Sequence, residues 1–201
     1  MEPIDAFRRT TAVAQKVIGG LSEDQFTLPT PCTEWTVRDV LNHIRHGDAL
    51  ITAWLTDTQA PDSGDADYLG EHPKDSIFQG MAESAAALTA PGILESTVTT
   101  RMGDLPVGAP GGLIERRVAD LFVHLWDLAA ATGQSTDLDP EVAGLVHAHF
   151  QSRLEGVDRS GLIGARPQPV AEARLAPEHA TAADRLAAYL GREVTAFAAG
   201  R

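Results

Sequence analysis

The chain has 201 residues, 43% of them hydrophobic and 22% charged, and carries a net charge of -12 at neutral pH. That size and balance fit one globular domain able to bury a real core, and the acidity disfavours nucleic-acid backbones, which need clustered Lys and Arg. A single cysteine, Cys32, excludes an intramolecular disulfide and any multi-thiolate zinc knuckle, so a metal here must use His and carboxylates.

Apolar residues at Ile4, Phe7, Val13, Val17 and Ile18 predict a first helix, Ile4 to Ile18, with a glycine stop at Gly19-Gly20. A loop with a short turn, Leu21 to Trp35, leads into a second helix that has Thr36 as N-cap and Asp39 at N3 and runs to about Leu55. Residues 57 to 72 read as an acidic loop. A third helix is expected from Asp75 to Ala90, ended by Pro91-Gly92, and β-branched residues between Ser96 and Val107 predict a short hairpin or extended crossover. The apolar segment Val118 to Thr132 reads as a buried helix after the Gly111-Gly112 break, ending at Gly133. Asp139-Pro140-Glu141 starts another, which stops near Gly156. A proline-bearing strap, residues 157 to 178, precedes a last helix from Thr181 to Leu190 with the capping pattern Thr181-Ala-Ala-Asp184. Helical periodicity dominates, so the expected fold is an all-α bundle, residues 1–156, carrying a C-terminal extension, residues 157–201, packed on it.

Asp120 and His124 lie four apart, which puts a carboxylate and an imidazole one turn apart on one helix face, where both can grip one ion. His43, beside the apolar stripe Val37, Val40, Leu41, Ile44 and Ile51, is the best candidate for a third ligand, because bundle proteins build internal metal sites from facing helices. The competing explanation is an ordinary salt bridge, since Arg116 and Arg117 precede Asp120 by four and three residues. His46 and Asp127 are candidate acid-base groups. Asp127 also stands where it can accept a hydrogen bond from a ligand imidazole, and His46 has a solvated surface position as its alternative. His147 and His149 face different directions and are taken as non-ligands. Cys32 reads as a small residue buried under a loop, and Trp35, Trp54 and Trp126 as core packing. No charged n-region followed by an apolar stretch opens the sequence, and no apolar run approaches the about 20 residues a membrane span needs, so a cytoplasmic location is expected.

The phrase Thr30-Pro-Cys-Thr-Glu-Trp-Thr-Val-Arg-Asp-Val-Leu-Asn-His43, with Ala119-Asp120-Leu-Phe-Val-His124-Leu-Trp126-Asp127 through Gly133, resembles the DinB-like superfamily. More narrowly it resembles the actinobacterial branch related to the metal-binding domain of mycothiol-dependent maleylpyruvate isomerase. The tail from Leu162 to Arg192 is similar to the ending of an actinobacterial subgroup of these proteins. The resemblance implies a four-helix bundle holding one divalent ion, zinc or alternatively nickel, on three side chains that map onto His43, Asp120 and His124. Many members carry three histidines, and the isomerase relatives carry Glu where this chain has Asp120. The isomerase's second domain is expected to be absent, which argues against the isomerase reaction itself.

The activity implied is thiol chemistry: mycothiol as cosubstrate adding to a small electrophile, for S-transfer or isomerisation, with Arg101 or Arg117 as candidates for steering a carboxylated substrate. The alternatives are a bundle that binds metal without catalysis and a metal-dependent hydrolase, for which His46 or Asp127 would be the base. The expected partner is a small molecule rather than nucleic acid or membrane. A homodimer is the assembly common in proteins of this kind.

Overall fold

The computed structural model describes residues 1–32, 34–61, 66–101, 103–157, 159 and 170–194. Six α-helices and one two-stranded hairpin are present among them: α1 (Pro3–Gly19), α2 (Val37–Leu55), α3 (Pro73–Ala87), β1 (Thr97–Thr100), β2 (Gly103–Pro106), α4 (Leu113–Ala131), α5 (Pro140–Leu154) and α6 (Ala182–Tyr189). The fold is the all-α bundle expected. Its first four helices close a ring in which α1 packs on α3 and α4, and α2 packs on the same two. Sequential helices α1 and α2 are therefore diagonal, as are α3 and α4. Each diagonal step needs a long connection: the first is a 3-10 turn (Glu23–Thr27) with the loop after it, and the second is the hairpin.

The ends of these helices follow local chemistry. Thr36 accepts the Asp39 backbone N–H, and Asp39 Oδ2 accepts the Thr36 N–H at 2.8 Å, so two groups left over at the start of α2 are satisfied reciprocally. Thr181 and Asp184 repeat the device at α6. Asp139 accepts from the N–H groups of Glu141 and Val142 with Pro140 at the first helical position. Two boundaries shift from expectation. α3 starts at Pro73, where a proline lacking its N–H suits the first turn, and ends at Ala87. The Gly19-Gly20 stop also works differently: Gly20 keeps a right-handed conformation, and a side chain there would meet Gln134 Oε1 at 2.8 Å, so the glycine gives room to a residue that ties the end of α1 to the end of α4.

The core lies between α4 and the other helices. Residues 121–129 of α4 are buried without a break, and Phe122, Leu121, Leu125 and Leu128 are among the largest fully buried side chains. A stretch of helix buried on every side is held by its neighbours, each buried apolar side chain contributing about 1.5–3 kcal/mol. The hairpin pairs Val98 directly with Leu105, both buried, and links Thr99 Oγ1 to Asp104 on the other face. α6 packs on α5 and α4. No helix among the described residues is long and apolar enough to cross a membrane. Half of the proline-bearing strap, residues 158 and 160–169, lies outside the described residues.

Candidate metal centre

The loop before α2 sets the site. Thr30 and Trp35 pair through their backbones, the Trp35 N–H donates to the Cys32 carbonyl, and Glu34 adopts a left-handed conformation at φ 72°. This tight turn drops Cys32 into the interior and swings Trp35 over two imidazoles, with ring centroids 5.0 Å from His43 and 5.7 Å from His124. The capping box then fixes the start of α2, which delivers His43 to face α4.

His43 Nε2 lies 3.0 Å from Asp120 Oδ1, and His124 Nε2 lies 3.7 Å from the same oxygen. The ligand atoms of all three residues fall within 4.8 Å of one another. A tetrahedral ion with bonds of about 2.0–2.1 Å requires donor atoms roughly 3.3 Å apart, so the spacing suits one small divalent cation. His124 is buried, whereas about a third of each of the His43 and Asp120 side chains is exposed. The cluster therefore has a dry inner side and a wet outer one.

Each of the two carboxylates near His124 is gripped by a buried arginine. Arg117 donates through Nη1 to Asp120 Oδ2 at 2.9 Å and through Nη2 to Asp48 Oδ1 at 2.8 Å and the Ile44 carbonyl at 2.9 Å. Gly47 of α2 leaves the space this guanidinium fills. Burial alone would favour the neutral acid at Asp120, but His43, His124 and Arg117 outweigh it and hold the carboxyl well below the usual range. On the other side, Asp127 Oδ2 lies 3.2 Å from His124 Nδ1, and Arg192 grips both Asp127 oxygens, Nε to Oδ1 at 3.0 Å and Nη2 to Oδ2 at 2.8 Å. There too burial opposes ionisation and Arg192 chiefly reverses it, leaving Asp127 at about 2.

The structure thus brings His43, Asp120 and His124 together and sets Asp127 against the far nitrogen of His124. Asp127 is fully buried with both oxygens engaged, a poor position for exchanging protons with a substrate. Arg117, a sequence candidate for steering substrate, is buried beneath Asp120 and braces it instead. Arg101 lies at the hairpin turn and donates to the Pro61 carbonyl. His46 packs against the Tyr68 ring. His149 pairs with Glu115 at 2.6 Å and His147 stacks on Tyr189, away from the cluster. A second group, Cys32, His124 and Asp127, has suitable atom types. Burial, and then Asp127, pushes the Cys32 thiol up to about 12, and a thiol that keeps its proton is a poor ligand. Sequence reasoning missed Arg192, Asp48 and Gly47. The one available signal was Arg117 at i−3 from Asp120, which does not say that its guanidinium continues into the core.

The model of the mycothiol maleylpyruvate isomerase N-terminal domain matches residues 7–129, and that span contains all three clustered residues. The chain belongs to this family. Membership places it in a mycothiol-related, DinB-like metal-binding family. Two relatives from Mycobacterium tuberculosis are similar along their full length: Uncharacterized protein Rv0738 (strain ATCC 25618 / H37Rv) and Uncharacterized protein MT0763 (strain CDC 1551 / Oshkosh). Each is 33% identical over 201 residues, covering 96% of this chain and 100% of its own. No solved structure matches the chain. The family match ends at Ala129, so α5, α6 and Arg192 lie outside it, while the two relatives extend across them.

Proposed function

We propose that this member of the family is a metal- and thiol-dependent enzyme, a mycothiol-dependent S-transferase or isomerase acting on a small electrophile, with its divalent ion on His43, Asp120 and His124. The observation that carries the reading is the convergence of two imidazoles and a carboxylate from α2 and α4 within 4.8 Å, open to solvent on the His43 and Asp120 side. Zinc suits this N/O donor set, and nickel is the alternative. Bound there, the ion would supply Lewis acidity, lowering the pKa of a thiol and polarising a carbonyl.

The chain's own residues do the positioning. Arg117 holds Asp120 in place, and His43, His124 and Arg117 together keep the carboxylate an anion although partly buried. Trp35 covers one side of both imidazoles, which keeps water from that side and leaves the wet side for a small molecule. A hydrolase reading would need a general base beside the ion, and Asp127 is sequestered from that role by Arg192 and His124.

The test is metal content by elemental mass spectrometry on untagged protein, with wild type beside His43→Ala and His124→Ala. Near-stoichiometric zinc or nickel, absent from both variants, is the expected result, and mycothiol is then screened against small electrophiles for metal-dependent turnover. Wild-type protein that is metal-free and cannot be loaded would overturn the proposal. Loaded protein inert towards every thiol and electrophile pair would leave a metal-binding bundle without catalysis.

A further inference from the structure

Arg192 stands 65 residues beyond Asp127, outside the matched family span, yet it is 5% exposed and makes a two-pronged contact with a carboxylate that is fully buried. Its placement is built by the polypeptide around it. Gly191, at φ +91°, turns the chain at the end of α6, and a side chain there would strike Ala171 Cβ at 2.6 Å. The Arg192 N–H closes back onto the Ala187 carbonyl, and Ala171 and Arg174 donate their N–H groups to Leu190 and Ala188. A second polar tie, Trp126 Nε1 to Asp184 Oδ1 at 2.8 Å, fastens α6 to α4 two residues from His124. Two separate polar ties, three hydrogen bonds in all, therefore dock this C-terminal segment on the stretch of α4 that carries His124.

An ionised carboxylate only accepts hydrogen bonds, so Asp127 facing His124 Nδ1 makes that nitrogen the donor and leaves the Nε2 lone pair directed at His43 and Asp120. We propose that Arg192 is a positioning residue of the metal centre: by gripping both oxygens of Asp127 it orients the acceptor that fixes the His124 ring and tautomer, so that the C-terminal segment completes a site whose ligands all lie in the bundle. The inference rests on the reading of His43, Asp120 and His124 as ligands. A metal-ligating histidine whose outer partner is disturbed typically loses about 10- to 100-fold in affinity.

The experiment uses the full chain stripped of metal, titrated with Zn²⁺ against a chromophoric chelator and separately with Co²⁺ read by visible absorption, with folding followed by circular dichroism. Arg192→Gln is expected to fold, to bind Zn²⁺ about 10- to 100-fold more weakly, and to show an altered Co²⁺ spectrum. The double variant Asp127→Asn/Arg192→Gln is expected to bind no more weakly than Asp127→Asn, because Arg192 acts through Asp127. Should the buried, unpaired carboxylate prevent Arg192→Gln from folding, Arg192→Lys keeps the cation without the two-pronged grip and is expected to fall between wild type and Asp127→Asn. A folded Arg192→Gln, or Arg192→Lys in its place, with wild-type affinity and an unchanged Co²⁺ spectrum overturns the proposal, as do losses that add to those of Asp127→Asn. A residue that only holds α6 in place would lower the unfolding midpoint and leave both metal readouts unmoved. If wild type binds no metal, or His124→Ala binds as well as wild type, the ligand assignment fails and this proposal with it.

Discussion

Gly47→Ala sets two opposing effects against each other, and the structure decides between them. Alanine in a helix interior gains about 1 kcal/mol over glycine. Against this, the new Cβ would lie 2.6 Å from Arg117 Nη1 and 3.1 Å from its Cζ, so the guanidinium must move. The end of a long side chain usually yields cheaply. This one is 3% exposed and is held by Asp120, Asp48 and the Ile44 carbonyl at 2.8–2.9 Å. A hydrogen bond to a charged group contributes roughly 1.5–3 kcal/mol, and Asp48 is too buried for water to replace a lost partner. Loss of one such bond outweighs the helical gain, giving a net loss of about 0.5–2 kcal/mol. Gly144 is the control: it lies in α5, exposed, with nothing within 4 Å of an added Cβ, so Gly144→Ala should stabilise by up to about 1 kcal/mol. Urea unfolding of both variants beside wild type, with slopes compared to verify that the same surface unfolds, measures the difference. A Gly47→Ala protein as stable as wild type, or shifted in the same direction as Gly144→Ala, would refute the reasoning that Arg117 is locked in place.

Asp139 joins the first and fifth helices by pairing with Arg9 while capping α5. Burial opposes its ionisation, but the bonds from Arg9 and Val142 pull its pKa below the ordinary value. A depressed carboxylate stabilises the fold fully above its unfolded pKa of about 3.9, and the contribution is lost as pH falls through the lower folded value. Unfolding free energy measured from pH 7 down to pH 2 should therefore fall more steeply below about pH 4 in wild type than in Asp139→Asn; parallel curves would count against the pairing. Cys32 is buried with its thiol raised to about 12, so an aromatic disulfide reagent at neutral pH should label it only as fast as the protein opens. Prompt labelling of the native protein would place the thiol elsewhere.

What the sequence made legible was mostly local. The capping patterns at Thr36, Asp139 and Thr181 involve residues two or three positions apart, and each forms as expected. The β-branched run between Ser96 and Val107 predicted a hairpin or extended crossover turning at Gly103-Asp104; the hairpin forms, but Thr100 pairs with Gly103, so the turn comes earlier and Gly103 and Asp104 open β2. The one-turn spacing of Asp120 and His124 was visible in the same way, whereas His43 lies 77 residues from Asp120 and no periodicity could join them. The apolar stripe beside His43 made it the best candidate partner, the resemblance pointed to the same residue, and the structure brings the side chains to 3.0 Å. Arg117 shows the limit of helical spacing: an i, i+3 pair looks the same whether it faces water or core. The direction depends on Gly47 and Asp48, which belong to another helix. Arg192 was beyond reach for a related reason, because an arginine after a C-terminal glycine reads as a surface residue until the chain is seen to fold back on α4.

Residues 121–129 of α4 are buried on every side, and that same stretch holds His124 and Asp127, with Asp120 adjoining it. Two demands therefore fall on one strip of chain: a change there that disturbs packing also displaces residues of the cluster. A replacement for His124 or Asp127 must accordingly fill its space in the core as well as keep its polar contacts. Residues of α2 that face solvent carry no such double demand.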